Sequence, residues 1–454
     1  MEPQRVAVVG AGIAGLTCAR ELARAGLEVV VLERESTPGG RMNTRVKGGF
    51  AFDFGADFLA DCYRSLQGLA RDVGVRLESA GLVHHLVFRA GRMHPMNLSG
   101  PGDVIRFTGL SRWTRWLLVK FAIRTCLQRY DFDFFDLSSL PADLHAESAY
   151  AFACRKVNRE FADYIVDPFT TTMMFHRSTE VTAGAFLALF SMMASGRFSF
   201  GVQRAVGGMR ALPAALARQL DLRCGVPVRS VTRADGSWLV TAPGWEDRFD
   251  AVVVACTAPA ALRLLPDLAP VQRQLLEGAG YSSTIDVSFR IPRHALDGLH
   301  CVYVPFVESE LVSEFTNEAF KREETVHGDQ TLVNVGLHEG RARELLGEPD
   351  AVIFERVKQE MLRFHPGLAS AAGSVIPHDL QRWWHALPRY GAAHVDRVRR
   401  FWSAGQGERG LWLCGDYLNH PWLEGAVRCG QRVARRLLAE VPAATASSTV
   451  LSPS

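Results

Sequence analysis

Residues 10–15 read Gly-Ala-Gly-Ile-Ala-Gly, directly after the apolar run Val6-Ala7-Val8-Val9 and before a helical pattern that stops at Gly26. This spacing suits the binding of a diphosphate. Gly10 makes a tight turn, Gly12 lets the backbone approach an anion, and Gly15 lets helix and strand pack closely. Ile13 and Ala14 open the helix, whose unpaired N–H groups and positive dipole end face the phosphates. Glu33 closes a second apolar run, Val29-Val30-Val31-Leu32, where a carboxylate accepts both hydroxyls of a ribose; Arg34 follows it. A glycine turn with a chance acid would lack the strand–helix–strand frame, so the segment reads as a dinucleotide-binding βαβ unit.

That unit alone does not distinguish FAD from NAD. In Pro38-Gly39-Gly40-Arg41-Met42 two glycines permit a second close approach, and Arg41 is expected to reach a phosphate. In Phe52-Asp53-Phe54-Gly55-Ala56-Asp57-Phe58 the small pair Gly55-Ala56 leaves room for a flat ring. Near the C-terminus, the strand Leu411-Trp412-Leu413-Cys414 ends at Gly415-Asp416, and Leu423-Glu424-Gly425-Ala426-Val427 opens a helix. Asp416 is placed to accept a ribityl hydroxyl. The helix N-terminus would stabilise negative charge on the reduced flavin pyrimidine, with Gly425 small so that the ring comes close. These segments point to non-covalent FAD; Cys414 reads as a small strand residue.

The elements that must position these residues follow from periodicity. From about 105 to 193 the pattern is mostly helical. Alternation returns near 205, with a helix at 213–220, a hairpin over 228–240 turning at Asp235-Gly236, and a buried strand at 251–255. Strands over 281–384 and a helix at 350–364 predict a second sheet. The expected fold class is α/β: a Rossmann-type FAD-binding domain from residues 1–75, 205–280 and 395–454, with a discontinuous α+β substrate domain. The latter comprises a helical insert, 76–204, and a mixed sheet, 281–394. Residues 441–454, rich in Ala, Ser and Thr, are expected to be a disordered tail.

Bulk properties exclude several classes. A net charge of +3 over 454 residues gives no reason to expect a nucleic-acid partner. The nine cysteines are scattered without a CxxC pair, and the 14 histidines show no HxxxH spacing. This predicts reduced thiols, no metal and a cytoplasmic location. No signal peptide is apparent, and the longest apolar run, 183–194, falls short of the about 20 residues that span a bilayer. Residues 106–129 hold six basic residues and no acid, with Trp113, Trp116 and Phe121. Their charges spread over more than half of a helical wheel. This favours a substrate-domain helix with arginines reaching its rim over a peripheral membrane helix. Oligomeric state is not legible.

Together these segments resemble the flavin amine oxidase superfamily, nearest its protoporphyrinogen oxidase-like and carotenoid desaturase branch, over nearly the whole chain. Gly207-Gly208-Met209-Arg210-Ala211-Leu212-Pro213 is similar to the family's glycine pair before a helix. Val228 sits where a family strand packs against adenine, and Ala255-Cys256-Thr257-Ala258-Pro259 resembles the A-x-P strand end. Trp384-His385-Ala386-Leu387-Pro388-Arg389-Tyr390 resembles the W-x-x-x-x-P-x-Y stretch near the flavin. The resemblance implies a GR2-type flavoprotein fold and hydride transfer to flavin N5 from a bulky, largely apolar or conjugated small molecule. Dioxygen is the expected acceptor, since no second glycine fingerprint for NAD(P)H is present. Phe175, His176, Trp384 and Tyr390 are the substrate-cavity candidates. Many amine oxidases of the family hold a water against N5 with a strand lysine. The matching strand, Tyr281 to Phe289, has none, and Lys321 reads as a solvated surface residue. That departure counts against the alternative of amine or amino-acid oxidation. A third alternative is an FAD-stabilised isomerase or binding protein without net oxidation.

Overall fold

The computed structural model describes residues 4–80, 85–96, 101–128, 133–140, 142–194, 201–296, 298–321 and 325–440. The expected tail at 441–454 lies outside them. The chain opens as its pattern requires, with β1 (Arg5–Val9), α1 (Ile13–Arg24) and β2 (Glu28–Leu32). A hairpin follows, β3 (Met42–Lys47) and β4 (Phe50–Gly55). Another, β5 (His85–Arg89) and β6 (Arg92–Met96), turns at Ala90 and Gly91, both with positive φ. These two strands lie in the region expected to be mostly helical. Their short alternation is overshadowed by the helices after them, α2 (Arg112–Gln128) and α3 (Asp167–Met174).

The FAD-type domain is assembled from distant segments. With β7 (Asp221–Arg223) and β8 (Ala251–Val254) placed, the five-stranded parallel sheet runs β7-β2-β1-β8 and ends in Leu411–Leu413. Val6 to Val9 are buried on both faces, which is why these strands read as unbroken apolar runs. The hairpin turn occurs at Asp235 (φ 51°) and Gly236 (φ 84°), as the sequence predicts.

The second sheet is built from β9 (Thr284–Pro292), β10 (Cys301–Tyr303), β11 (Val312–Asn317), β12 (Gln330–Leu337) and β13 (Ile376–Trp383). Its order is β13-β9-β12-β11-β10-β5-β6, antiparallel except for β10 beside β5. One face is apolar: Ile285, Val287, Phe289, Phe315, Val333 and Val335 pack with Ile353, Val357 and Met361 of α4 (Asp350–Leu362). Because side chains alternate along a strand, the opposite face carries Asp286, Tyr303, Glu314 and Asn334. That polar face looks toward the β3–β4 hairpin. The last strand, β14 (Leu411–Leu413), leads into α5 (Leu423–Glu440), which lies against α1. A Cβ at Gly430 would meet the Ala14 carbonyl oxygen at 2.4 Å, so glycine permits this approach. Among the described residues no helix is long and apolar enough to cross a membrane.

Candidate flavin and substrate site

At the start of α1 the glycines divide by role. Gly10 has φ +110°, and a Cβ there would meet the Ala255 carbonyl oxygen at 2.9 Å. A Cβ at Gly15 would meet the Gly10 oxygen at 2.2 Å. Both are set by strand–helix packing. Gly12 differs: a Cβ there meets nothing within 4 Å, so open space lies before the helix N-terminus, which has no side-chain cap. Ile13 and Ala14 follow in the first turn. Gly12 forms an isolated parallel bridge with Gly39, whose N–H donates to the Ala11 carbonyl at 2.9 Å, and Gly40 follows with φ +57°. Open room, free helix N–H groups and a second glycine strand fit the diphosphate of FAD.

Glu33, the expected ribose acceptor, is held by backbone N–H groups. Its buried carboxylate accepts from the Ala11 N–H at 2.7 Å and from the Glu35 N–H at 3.0 Å, leaving lone pairs for a ribose. Arg34 does not join it: its exposed side chain pairs with Glu35 at 2.9 Å. Val226 donates to the Glu33 carbonyl at 2.8 Å, which brings half-buried Val228 alongside. Cys256 follows Ala255 against Gly10, and burial pushes its thiol up to about 12.

At the far end Arg41 is already engaged. It pairs with Asp416 at 2.8 Å and donates to the Ala386 carbonyl at 2.7 Å. The sequence-based expectation is a phosphate contact; here the guanidinium meets protein partners. Burial works against its charge, but Asp416 more than compensates and its pKa rises. The backbone here folds tightly: Met42 N–H donates to Gly39 at 3.0 Å and Ala56 N–H to Arg41 at 2.9 Å. Gly55 has φ +89°, and a Cβ there would lie 2.5 Å from the Arg41 oxygen. Gly415 leads into the Asp416 turn. Two C-terminal expectations change. Glu424 points away and caps the helix Arg64–Asp72, accepting from Ser65 and Leu66 N–H at 3.0 Å each. Gly425 is small because of the preceding loop, where a Cβ would meet the His420 oxygen at 2.4 Å. Ala426 N–H makes an ordinary helical bond to Trp422.

The four cavity candidates lie in different surroundings. Trp384 is 60 % exposed in the turn just after the strand, whereas Trp383, the last strand residue, points inward to Asp286. The spacing W-x-x-x-x-P-x-Y counts from Trp383, not Trp384, to Pro388 and Tyr390. Tyr390 is buried, and its hydroxyl donates to the Asp416 carbonyl. His176 lies between the carbonyls of Phe175 and Pro388, at 2.9 and 3.3 Å; burial lowers its pKa, and the neutral ring has one N–H to donate to either of them. Phe175 ends α3 in the left-handed conformation and keeps partial exposure.

The strand segment read as lacking a lysine partner holds a different arrangement. Lys321 is not solvated: it is buried, with Nζ 2.5 Å from Asp57 and 2.7 Å from Glu318. Burial opposes its charge, yet the two carboxylates raise its pKa. Phe58 follows Asp57 with partial exposure. Asp286 of β9 accepts from Trp383 Nε1 at 2.8 Å and lies 3.4 Å from the Gly55 N–H, beside the expected ring seat. Glu314 of β11 stands on the same face. Both are half-buried. Burial lifts Asp286 to about 6 and, with Asp57 adding repulsion, Glu314 to about 8. Sequence reading missed Asp286, Glu314 and Trp383. The available signal was strand alternation over 284–292, which leaves Asp286 opposite an apolar face.

The sequence profile for flavin containing amine oxidoreductases matches residues 13–438, so the chain belongs to that family and is an FAD-dependent oxidoreductase. It is 40% identical over 124 residues to the lysine-specific histone demethylase 1 homolog 2 of Oryza sativa subsp. japonica, covering 25% of this chain and 16% of that protein. It is 30% identical over 168 residues to the mitochondrial protoporphyrinogen oxidase of Nicotiana tabacum, covering 37% of this chain and 32% of that one. The chain thus spans less than two thirds of these relatives. A solved structure, a candidate protoporphyrinogen oxidase of Exiguobacterium sp. 255-15, superposes with a TM-score of 0.77 at 19% identity, covering 97% of this chain and 100% of the other.

Proposed function

We propose that the chain dehydrogenates a bulky small molecule with a largely apolar body and a basic nitrogen, with dioxygen as final acceptor. The observation that carries this reading is the pair Asp286 and Glu314 on the polar face of the second sheet, Asp286 beside Gly55. Bound flavin supplies the hydride acceptor. The chain's own residues orient and desolvate. Lys321 offsets Asp57 and Glu318, leaving Asp286 and Glu314 without a cation within salt-bridge distance among the described residues. A substrate ammonium would fill that role, displacing the proton that Glu314 holds near neutral pH. The same wall would repel the carboxylates of a porphyrinogen.

A second reading, a wholly apolar or conjugated substrate without basic nitrogen, is supported by α3. This helix packs on β11 with Phe169 and Met173 partly accessible. The test is peroxide release under air from hydrophobic amines, polyenes and porphyrinogens. Turnover of amines is expected. Turnover of polyenes alone would establish the second reading, and product formed without peroxide would point to isomerisation.

A further inference from the structure

Nine large apolar residues stand out as exposed among the described ones, and four of them lie on α2: Trp113 at 62%, Trp116 at 50%, Ile123 at 54% and Leu127 at 76%. At 3.6 residues per turn these four, with Lys120, fall within an arc of about 80°. The buried residues Thr114, Leu118, Phe121, Ala122 and Thr125 occupy the other side. The helix is therefore apolar on two opposed faces, which is why no single polar face is visible in its sequence. Trp113 and Trp116 stack at 5.0 Å, and Lys120 Nζ sits 4.5 Å from the Trp116 ring.

Charge decides what this outer stripe meets. Arg112 and Arg124 flank it and are exposed, Arg115 is half-buried, and α2 contains no acid. The acid bound at its start, Glu160, is turned inward, accepting from Ser111 Oγ at 2.6 Å and pairing with Arg89. We propose that α2 is a docking helix for an anionic lipid surface, lying in the interface plane. Its indoles and aliphatic tips enter the headgroup boundary, and Arg112, Lys120 and Arg124 meet lipid phosphates. One helix stripe exposes on the order of a few hundred Å², short of the about 800 Å² per partner in a standard protein interface, whereas interfacial insertion needs only such a strip.

The test is co-sedimentation of the FAD-loaded protein with vesicles of phosphatidylcholine alone, or of an equimolar mixture with phosphatidylglycerol. Binding to the mixed vesicles is expected, weaker in high salt, and lowered ~10-fold or more in Trp113→Ser/Trp116→Ser. Arg112→Glu/Arg124→Glu should also lose binding, and unchanged flavin absorbance verifies that both variants are folded. Sedimentation with neither vesicle, or equal sedimentation of the Trp variant, would overturn the proposal. So would a concentration-dependent dimer that the Trp variant abolishes, which would make the stripe an interface between copies.

Discussion

Arg41 and Asp416 stand 375 positions apart in sequence and meet at 2.8 Å, tying the glycine-pair loop to the C-terminal strand end. Asp416 is buried and Arg41 also holds the Ala386 carbonyl, so one guanidinium fixes three segments around the ring seat. Its planar fork suits that task better than a lysine.

Arg41→Ala should therefore destabilise the fold as well as the cofactor site. It leaves a buried carboxylate without its cation, a loss on the order of 3 kcal/mol. Urea unfolding of Arg41→Ala, Asp416→Ala and the double variant would measure it. The double variant should cost less than the sum of the singles.

The glycines give a sharper contrast. Gly12→Ala places its methyl in open space at an ordinary φ of −71°, so the apoprotein should keep its stability while FAD affinity falls. Gly425→Val places its side chain against the His420 backbone and should lower the melting temperature first, with flavin loss only secondary. Thermal melts of the apo forms, set beside flavin content, separate the two. Equal melting temperatures for Gly425→Val and wild type would contradict the packing assignment.

Glu33→Ala removes the acceptor of the Ala11 and Glu35 N–H groups as well as the ribose partner. A lost charge-assisted bond is worth about 1.5–3 kcal/mol, or roughly 10- to 100-fold in FAD dissociation constant. Titration of apoprotein with FAD measures this. Glu33→Gln should keep much of the loop, since its amide oxygen still accepts.

The FAD domain was legible because its signals are local. A strand, three glycines and an acid, all between Arg5 and Glu33, specify the βαβ unit. The pairing of Arg41 with Asp416 was not, because both read as polar residues facing a ligand and nothing local reveals that they face each other. Glu424 misled for a related reason: an acid in a first helical turn suits that helix's dipole, yet its carboxylate caps another helix. Trp384 for Trp383 is a shift of one residue, which here crosses from the strand end into an exposed turn. Lys321 sits in a polar segment, and its burial depends on Asp57, more than 250 residues away.

Glu314 sets a pH dependence whose sign can be worked out. Its folded value, about 8, lies above its ordinary 4.5. Between those values the folded protein keeps a proton that the unfolded chain releases, so stability falls as pH rises through the window and the cost is complete above about pH 8. Glu314→Gln should flatten that slope in urea unfolding of the apoprotein between pH 5 and pH 9, a range bracketing most of the shift. A parallel slope in wild type and variant would show that folding does not raise the Glu314 carboxyl above its ordinary range.

The central claim is that bound FAD would accept hydride from a substrate whose basic nitrogen lies against Asp286 and Glu314, its ammonium proton passing to the Glu314 carboxylate before the hydride leaves. Anaerobic mixing with hydrophobic amines, followed by loss of oxidised-flavin absorbance, tests it directly. Wild type should bleach, and Glu314→Gln and Asp286→Asn, with full flavin content, should require ~10-fold or more amine for the same rate. Bleaching by a polyene or porphyrinogen but by no amine, or an unchanged amine dependence in both variants, would contradict it.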